Sequence, residues 1–194
     1  MRITLFQKPL GRLSDDELML RVSSKNDDRA YSELYHRHAR RLTGFFFRQV
    51  DKDNALAADL MQDTFLRIWL SRHKFSGTGF STWLFCISFN LLKNHYRHAE
   101  KQRLYEQHTE KQDRVETDQN IIEHIDSKAF DHALQKEIEQ LSPDNRILFS
   151  LRFEEELTIP QIGEIMALPE GTVKSRLHAL TQTLKQKLTH YESI

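Results

Sequence analysis

The chain has a single cysteine, Cys86, in 194 residues. One thiol can close no internal disulfide and no cysteine-rich zinc site, which fits a reducing compartment and makes the cytoplasm the expected location. Glycine (6) and proline (4) are scarce while Leu, Glu, Gln, Lys and Arg dominate, so helix is favoured over strand nearly everywhere. Net charge is lacking too: 28 lysines and arginines face 28 aspartates and glutamates. A chain so balanced has no surplus of positive charge with which to hold duplex DNA unaided. Long apolar runs are also missing. The longest, WLFCISFNLL, is too short to span a bilayer, and MRITLFQKPLG offers too few apolar residues before Lys8 for a signal peptide. No P-loop, no nucleophile–base pair and no metal constellation is present in the sequence, so neither enzymatic activity nor a cofactor is expected.

What is there falls into three zones. Residues from Ser14 to about Arg103 are dense in aromatics. Residues 104–127, LYEQHTEKQDRVETDQNIIEHIDS, are polar, with Lys111 and Arg114 against seven acids. Apolar periodicity then returns. The reading is an all-α protein of two small helical domains, 1–103 and 128–194, joined by a polar linker, 104–127, that is itself compatible with some helix.

In the last zone, LTIPQIGEIM offers Thr158 as N-cap with Gln161 three residues on, and Pro160 suits a first helical turn. That helix ends around Ala167 to Pro169. A second begins near Glu170 or Gly171, the spacing of a helix-turn-helix. Val173, Leu177, Leu180, Leu184 and Leu188 recur at intervals of three or four and form one apolar stripe. Lys174, Ser175, His178, Gln182 and Lys185 fall on the other side, where they can meet phosphates and base edges. By these residues alone the helix is equally an ordinary surface helix.

The first zone opens with a capping box, Ser14 and Glu17. DRAYSELYHRHARRLTGFFFRQV follows, with Tyr31, Leu34, Tyr35, His38, Leu42 and Phe45 at helical spacing, so its apolar members read as core. His36 and His38 are two apart and face different ways, which speaks against a metal site. Arg37, Arg40 and Arg41 read as a solvated face, with a DNA-facing patch as the other reading. NALAADLMQDTFLRIWLSR has two faces. Ala57, Leu60, Met61, Phe65, Ile68 and Trp69 make a core stripe; Asp59, Gln62, Asp63, Leu66 and Leu70 gather opposite. Leucines among carboxylates suit a protein-docking surface and not DNA. After RHKFSGTGF comes STWLFCISFNLLKNHYRHAEKQR, with Ser81 or Thr82 as N-cap and an apolar surface over most of its girth. Cys86, Asn90, Lys93, Asn94 and Arg97 share the remaining sector, with Trp83 at its edge. Amide, aromatic and cation together suit single-stranded DNA.

These stretches resemble one family. LSPDNRILFSLRFEEELTIPQIGEIMALPEGTVKSRLHALTQTLKQKL is similar to the promoter-reading C-terminal domain of extracytoplasmic-function (ECF) sigma factors, DLMQDTFLRIW to their polymerase-binding signature, and FSTWLFCISFNLLKNHYR to the segment that captures the melted −10 element. The resemblance implies −35 contacts by Lys174, Ser175, Arg176 and His178. It implies −10 contacts by Asn90, Asn94, Arg97, Trp83 and Phe75, with Arg72 to Phe80 as a pocket-forming loop. It also implies docking through Asp59, Gln62, Asp63, Leu66 and Leu70. The partners it implies are core RNA polymerase, through the β′ coiled coil and the β flap, promoter DNA and an anti-sigma factor. Where the family usually continues with basic residues, this chain has Ala179 and Thr181. The residues leave open two other readings: a polymerase-independent helix-turn-helix regulator, and an adaptor that kept the fold without promoter binding.

Overall fold

A computed structural model of the chain describes residues 9–109 and 127–189. Among them the regular structure is helical: α1 (Asp15–Lys25), α2 (Asp28–Gln49), α3 (Asn54–Ser71), α4 (Phe80–Thr109), α5 (Ser127–Glu139), α6 (Pro143–Phe149), α7 (Ile159–Met166) and α8 (Glu170–Leu188). The expected all-α class is borne out. Two compact units result, with the main boundary between Lys93 and Asn94, inside α4. Helix α4 itself runs on through Thr109, past Arg103, and residues 110–126 of the expected linker lie outside the described residues.

In the first unit each early helix begins on a side-chain oxygen. Ser14 and Glu17 form the capping box read from the sequence, with bonds of 3.1 and 2.7 Å. Asp27 accepts from the N–H groups of Arg29 and Ala30, and Asp53 from that of Leu56. The core is then made by facing stripes: Leu18, Met19 and Val22 of α1; Leu34, Leu42, Phe45 and Phe46 of α2; Leu60, Met61, Phe65 and Ile68 of α3; Phe80, Leu84, Phe85 and Leu92 of α4. Burying a Phe or Ile side chain contributes about 1.5–3 kcal/mol, so these stripes set the helix orientations. Tyr31 ties α2 to α3 by donating to the Phe65 carbonyl at 2.8 Å, and burial pushes its phenol up to about 12.

The arginine patch of α2 needs a correction. Arg40 and Arg41 are exposed, but Arg37 is not a solvated residue: its guanidinium reaches Glu33 at 2.8 Å, Asp15 at 2.9 Å and the Leu13 carbonyl at 2.8 Å. Asp15 also meets His38 Nε2 at 2.7 Å, and His38 is buried. This hydrogen bond, with help from Arg37, holds the Asp15 carboxyl below the ordinary carboxylate range despite its partial burial. A carboxylate so lowered adds stability that is present above its ordinary value and is lost as pH falls through the lowered one.

The second unit packs α5, α6 and α8 together. Leu180, Leu184 and Leu188 of α8 pack with Phe130, Ala133, Leu134, Leu141 and Phe149, and the Lys187 ammonium pairs with Glu137. Helix α6 passes into a π-helical turn, Ser150–Glu154. Helix α7 starts where Gln161 Oε1 accepts from the Thr158 N–H at 2.9 Å. It ends in a left-handed cap at Ala167 (φ 54°), closed by Leu168 N–H to Gly163 O at 2.9 Å and Ala167 N–H to Glu164 O at 3.3 Å, the paired bonds of a Schellman motif. Helix α8 begins three residues later, and its Val173, Leu177, Leu180, Leu184 and Leu188 are all buried.

This turn makes Gly163 irreplaceable. A Cβ there would lie 2.9 Å from the Leu168 carbonyl oxygen, whereas one at Gly171 would meet nothing within 4 Å. Gly163→Ala should therefore cost on the order of 1–3 kcal/mol by forcing the backbone apart. Gly171→Ala should be neutral or stabilising by roughly 0.4–1 kcal/mol. Chemical denaturation of the two variants checks the contrast, and equal stability would show that the turn relaxes freely.

Candidate functional site

Helix α3 separates its two faces cleanly. Ala57, Leu60, Met61, Thr64, Phe65 and Ile68 are buried, and the Thr64 hydroxyl donates to the Leu60 carbonyl at 2.8 Å, which removes its polarity from the core. On the outer side Asp59, Gln62 and Asp63 are exposed, with Leu66 at 53% and Leu70 at 62%. Large aliphatic groups that open to water, set among carboxylates, form a face with no structural duty in this unit. Trp69, placed in the core stripe by the sequence, is only partly buried: its ring lies 5.1 Å from that of Tyr31, and the Arg72 guanidinium covers it at 4.5 Å.

The connection from α3 to α4 passes through a 3-10 turn, Arg72–Lys74, and two glycines with positive φ, Gly77 (99°) and Gly79 (75°). Both angles favour glycine. Phe75 turns inward and is buried, its ring 5.5 Å from Trp83 and 6.3 Å from Phe80. It therefore supports Trp83, itself partly exposed, and offers no open face of its own. Helix α4 starts at Phe80, earlier than the Ser81 or Thr82 cap expected. Thr82 is buried, and the cap comes from α1, where Asp16 accepts from the Phe80 N–H at 2.7 Å and the Gly79 N–H at 3.2 Å.

Between this connection and α4 lies a pocket of about 390 Å³ lined by Arg67, Leu70, Ser71, His73, Lys74, Ile87 and Asn90. It is large enough to take a nucleobase. Its wall joins an exposed amide, Asn90, to three basic side chains and two aliphatic ones, with no carboxylate among them. A wall of this chemistry can hydrogen-bond a base edge, pack its flat face and attract its phosphate. Sequence reading found Asn90 and assigned the loop, but named neither Arg67, His73 nor Lys74. Their shared chemistry shows only when the turn brings them together. Leu70 belongs to this wall as well as to the outer face of α3. Further along α4, Asn94 is half-buried and accepts from Arg97 at 3.1 Å, and Arg97 and Lys93 are exposed. Burial pushes the Cys86 thiol up to about 11, which disfavours the thiolate.

On α8 the residues expected to face DNA are all exposed: Lys174, Ser175, Arg176 and His178, with Gln182 and Lys185 further along. Ser175 donates to the Thr172 carbonyl at 3.0 Å, Lys174 lies 3.9 Å from Glu170, and Arg176 lies 4.0 Å from Asp144. Ala179 is exposed and Thr181 returns its hydroxyl to the Leu177 carbonyl, so neither adds charge to this face.

One helical unit with an acid-and-leucine face and a cationic pocket, and another that ends in a helix-turn-helix, have the architecture of a two-part transcription factor. Comparison with known proteins agrees. Residues 34–102 match Sigma-70 region 2 and residues 131–180 match Sigma-70 region 4. The RNA polymerase sigma factor CarQ of Myxococcus xanthus is 31% identical over 164 residues, 84% of this chain and 91% of that protein. The ECF RNA polymerase sigma-E factor of Haemophilus influenzae is 28% identical over 191 residues, 91% of this chain and 96% of that protein. The chain belongs to the ECF sigma factor family of RNA polymerase.

Two solved structures share the fold. CnrH, solved with the cytosolic domain of CnrY, superposes with a TM-score of 0.65 at 20% identity over 91% of this chain and 97% of that one. The sigma factor RpoE of Bartonella quintana, solved with the anti-sigma factor NepR, gives 0.60 at 22% identity over 83% and 98%.

Since Asp59, Asp63 and Leu66 on the outer face of α3 are exposed and lie outside the core, substitutions at these three should leave folding alone. Leu66→Arg, and Asp59→Lys with Asp63→Lys, should each change stability by no more than about 0.5 kcal/mol. Thermal melting measures this. A large loss would mean that the face is part of the core.

Proposed function

We propose that the chain docks on core RNA polymerase through α3, reads the −35 element with α8 and captures an unpaired −10 base against Asn90. The observation that carries this reading is the acid-and-leucine face of α3. A regulator acting without polymerase has no use for exposed Leu66 and Leu70 among Asp59, Gln62 and Asp63, whereas a helical partner would cover the leucines and pair with the acids. The pocket beside Asn90 supports the second role. Its amide supplies both a donor and an acceptor to a base edge, Leu70 and Ile87 supply apolar surface, His73 adds a further hydrogen-bonding ring, and Lys74 and Arg67 supply charge. For the third role, Lys174, Ser175, Arg176 and His178 are exposed on the N-terminal half of a helix whose apolar stripe is wholly buried, as a helix entering the major groove requires.

No chemistry of bond making falls to this chain: polymerase performs it, and the sigma subunit supplies location and strand separation. It acts where polymerase does, in the cytoplasm. One structural relative above, RpoE of Bartonella quintana, was solved with the anti-sigma factor NepR, and an anti-sigma factor is the partner we propose for restraint of this chain.

Docking is tested with the α3 variants that fold normally. Leu66→Arg, and Asp59→Lys with Asp63→Lys, should abolish capture of core polymerase in a pull-down while the melting curves stay unchanged; capture at the level of the parent chain would reject α3 as the docking face and favour the polymerase-independent regulator.

Base capture is tested with Asn90→Ala in reconstituted holoenzyme. Promoter opening should fall by roughly 5- to 30-fold, the cost of one lost hydrogen bond to a base, while duplex −35 binding stays the same. If mutant and parent show one and the same −10 base preference on a pre-melted template, Asn90 does not read the base.

A further inference from the structure

The loop that builds the pocket is gripped at both ends by one helix. At its exit, the Asp16 carboxylate of α1 accepts from two successive N–H groups, Phe80 through Oδ1 at 2.7 Å and Gly79 through Oδ2 at 3.2 Å. Gly79 stands at the N-cap position of α4 and has no side chain with which to cap it. Asp16 supplies that oxygen from 63 residues away, and its negative charge also faces the positive end of the α4 dipole. At the loop's entrance, the Arg72 guanidinium donates through Nε to Asn26 Oδ1 at 2.8 Å and through Nη1 to the Trp69 carbonyl at 2.7 Å. Asn26 is the C-terminal cap of the same α1, in the left-handed conformation (φ 51°, ψ 44°).

The two grips are ten residues apart, so α1 spans about 15 Å between them, a length fixed by the helical rise. The helix is itself held down. Asp15, beside Asp16, binds Arg37 and His38, and the His38 ring packs at 5.4 Å on Phe80, the residue whose N–H Asp16 holds. Phe80 in turn lies 6.3 Å from Phe75 and 6.4 Å from Trp83, and the Trp83 N–H donates to the Gly79 carbonyl at 3.0 Å. Midway along the strap, Leu20 Cδ2 lies 3.5 Å from where a Cβ on Gly77 would sit.

We propose that α1 is a rigid brace that sets the span and tilt of the loop Arg72 to Phe80, and that Asp16 and Asn26 are positioning residues for −10 base selection. Neither touches the pocket. They act through Arg72 and Phe80, which bracket His73, Lys74 and the aromatic support of Trp83. A hydrogen-bonding pocket discriminates between bases only while its donors and acceptors stay in register with the base edge, and a loop freed at one end loses that register before the unit loses its fold. This inference rests on the −10 reading of the pocket.

The test uses full-length chain in holoenzyme with core polymerase. Open complexes are selected from promoter fragments randomised across the −10 element, and base enrichment is read by sequencing. The variants are Asp16→Ala, Asp16→Asn and Asn26→Gly; the last keeps the left-handed backbone and removes only the side-chain acceptor. Asp16→Ala and Asn26→Gly should flatten the preference for the selected base by roughly fivefold to tenfold, the equivalent of one lost cap or charge-assisted bond. Polymerase capture and −35 duplex binding should stay at parent levels. Asp16→Asn retains one oxygen acceptor and should recover part of the preference.

If both loss variants keep the parent's base preference, the brace does not position the loop. If Asp16→Ala melts with the whole unit, or lowers open complexes by one factor on every sequence, Asp16 is a stability cap and nothing more, and the proposal is overturned. A parent chain with no −10 preference of its own would instead bring down the underlying −10 reading, a different result from a selective parent with equally selective variants.

Discussion

Burial of an aromatic face by α4 is the constraint on which the first unit depends. Phe80, Leu84, Phe85, Phe89 and Leu92 all lie below 6% exposure, and the Phe85 ring meets Phe45 of α2 edge to face at 5.2 Å. Packed on several sides, the helix has a narrow sector left for polar residues, and Asn90, Lys93, Asn94 and Arg97 occupy it. Their directions are thus fixed by the core and not by the ligand. On the proposed reading, a base at Asn90 would meet a group whose backbone cannot yield, which is what selectivity between similar base edges requires. Helix α3 faces the converse situation: with its inner stripe filled by Phe65 and Ile68, all freedom lies on the outer side, and there the sequence places leucine and carboxylate.

How much of this was legible in the sequence depends on how local the cause is. The α8 stripe, the division of α3 into two faces and the Ser14–Glu17 cap rest on spacings of three and four, and they appear as read except that Trp69 of the α3 stripe is only partly buried. The α4 cap could not be read, because its donors and acceptor are 63 and 64 residues apart and Ser81 and Thr82 offer a plausible local substitute. Arg37 misled for a similar reason: in a helix rich in arginine nothing distinguishes a solvated cation from one that Asp15, Glu33 and two turn carbonyls hold. The family resemblance gave Phe75 a −10 contact; only the fold shows its ring buried 5.5 Å from that of Trp83. The left-handed cap at Ala167 carries no glycine, so the turn between α7 and α8 was placed by its flanks. The basic lining of the pocket escaped notice because Arg67 belongs to α3 and His73 and Lys74 to the turn after it, and no periodicity unites them.

Charge follows the same division between local and global. A protein with net charge zero gains no general attraction to DNA, so its contacts matter only once another body has brought promoter and protein together. Tethering turns each later contact into an intramolecular one, governed by effective concentration. Neutrality then has a use: it keeps the free subunit from being absorbed by nonspecific duplex, whose sites vastly outnumber promoters.

The recognition helix shows how that neutrality is built at the level of single side chains. Lys174 lies 3.9 Å from Glu170 and Arg176 4.0 Å from Asp144, with every partner more than 40% exposed. Exposed pairs of this kind are worth about 0–1 kcal/mol, so they scarcely stabilise the fold. They do partly satisfy each cation before DNA arrives. A phosphate or base edge must displace a carboxylate to be bound, and the exchange is nearly neutral unless geometry favours the new partner, as it does for an arginine forked onto a guanine edge. Nonspecific phosphate contact gains little from such an exchange, while a correctly placed base gains a bidentate bond. On the proposed reading of α8, the acids beside it would work in the direction of specificity, lowering the affinity for arbitrary duplex more than that for the right sequence and leaving polymerase to supply the difference.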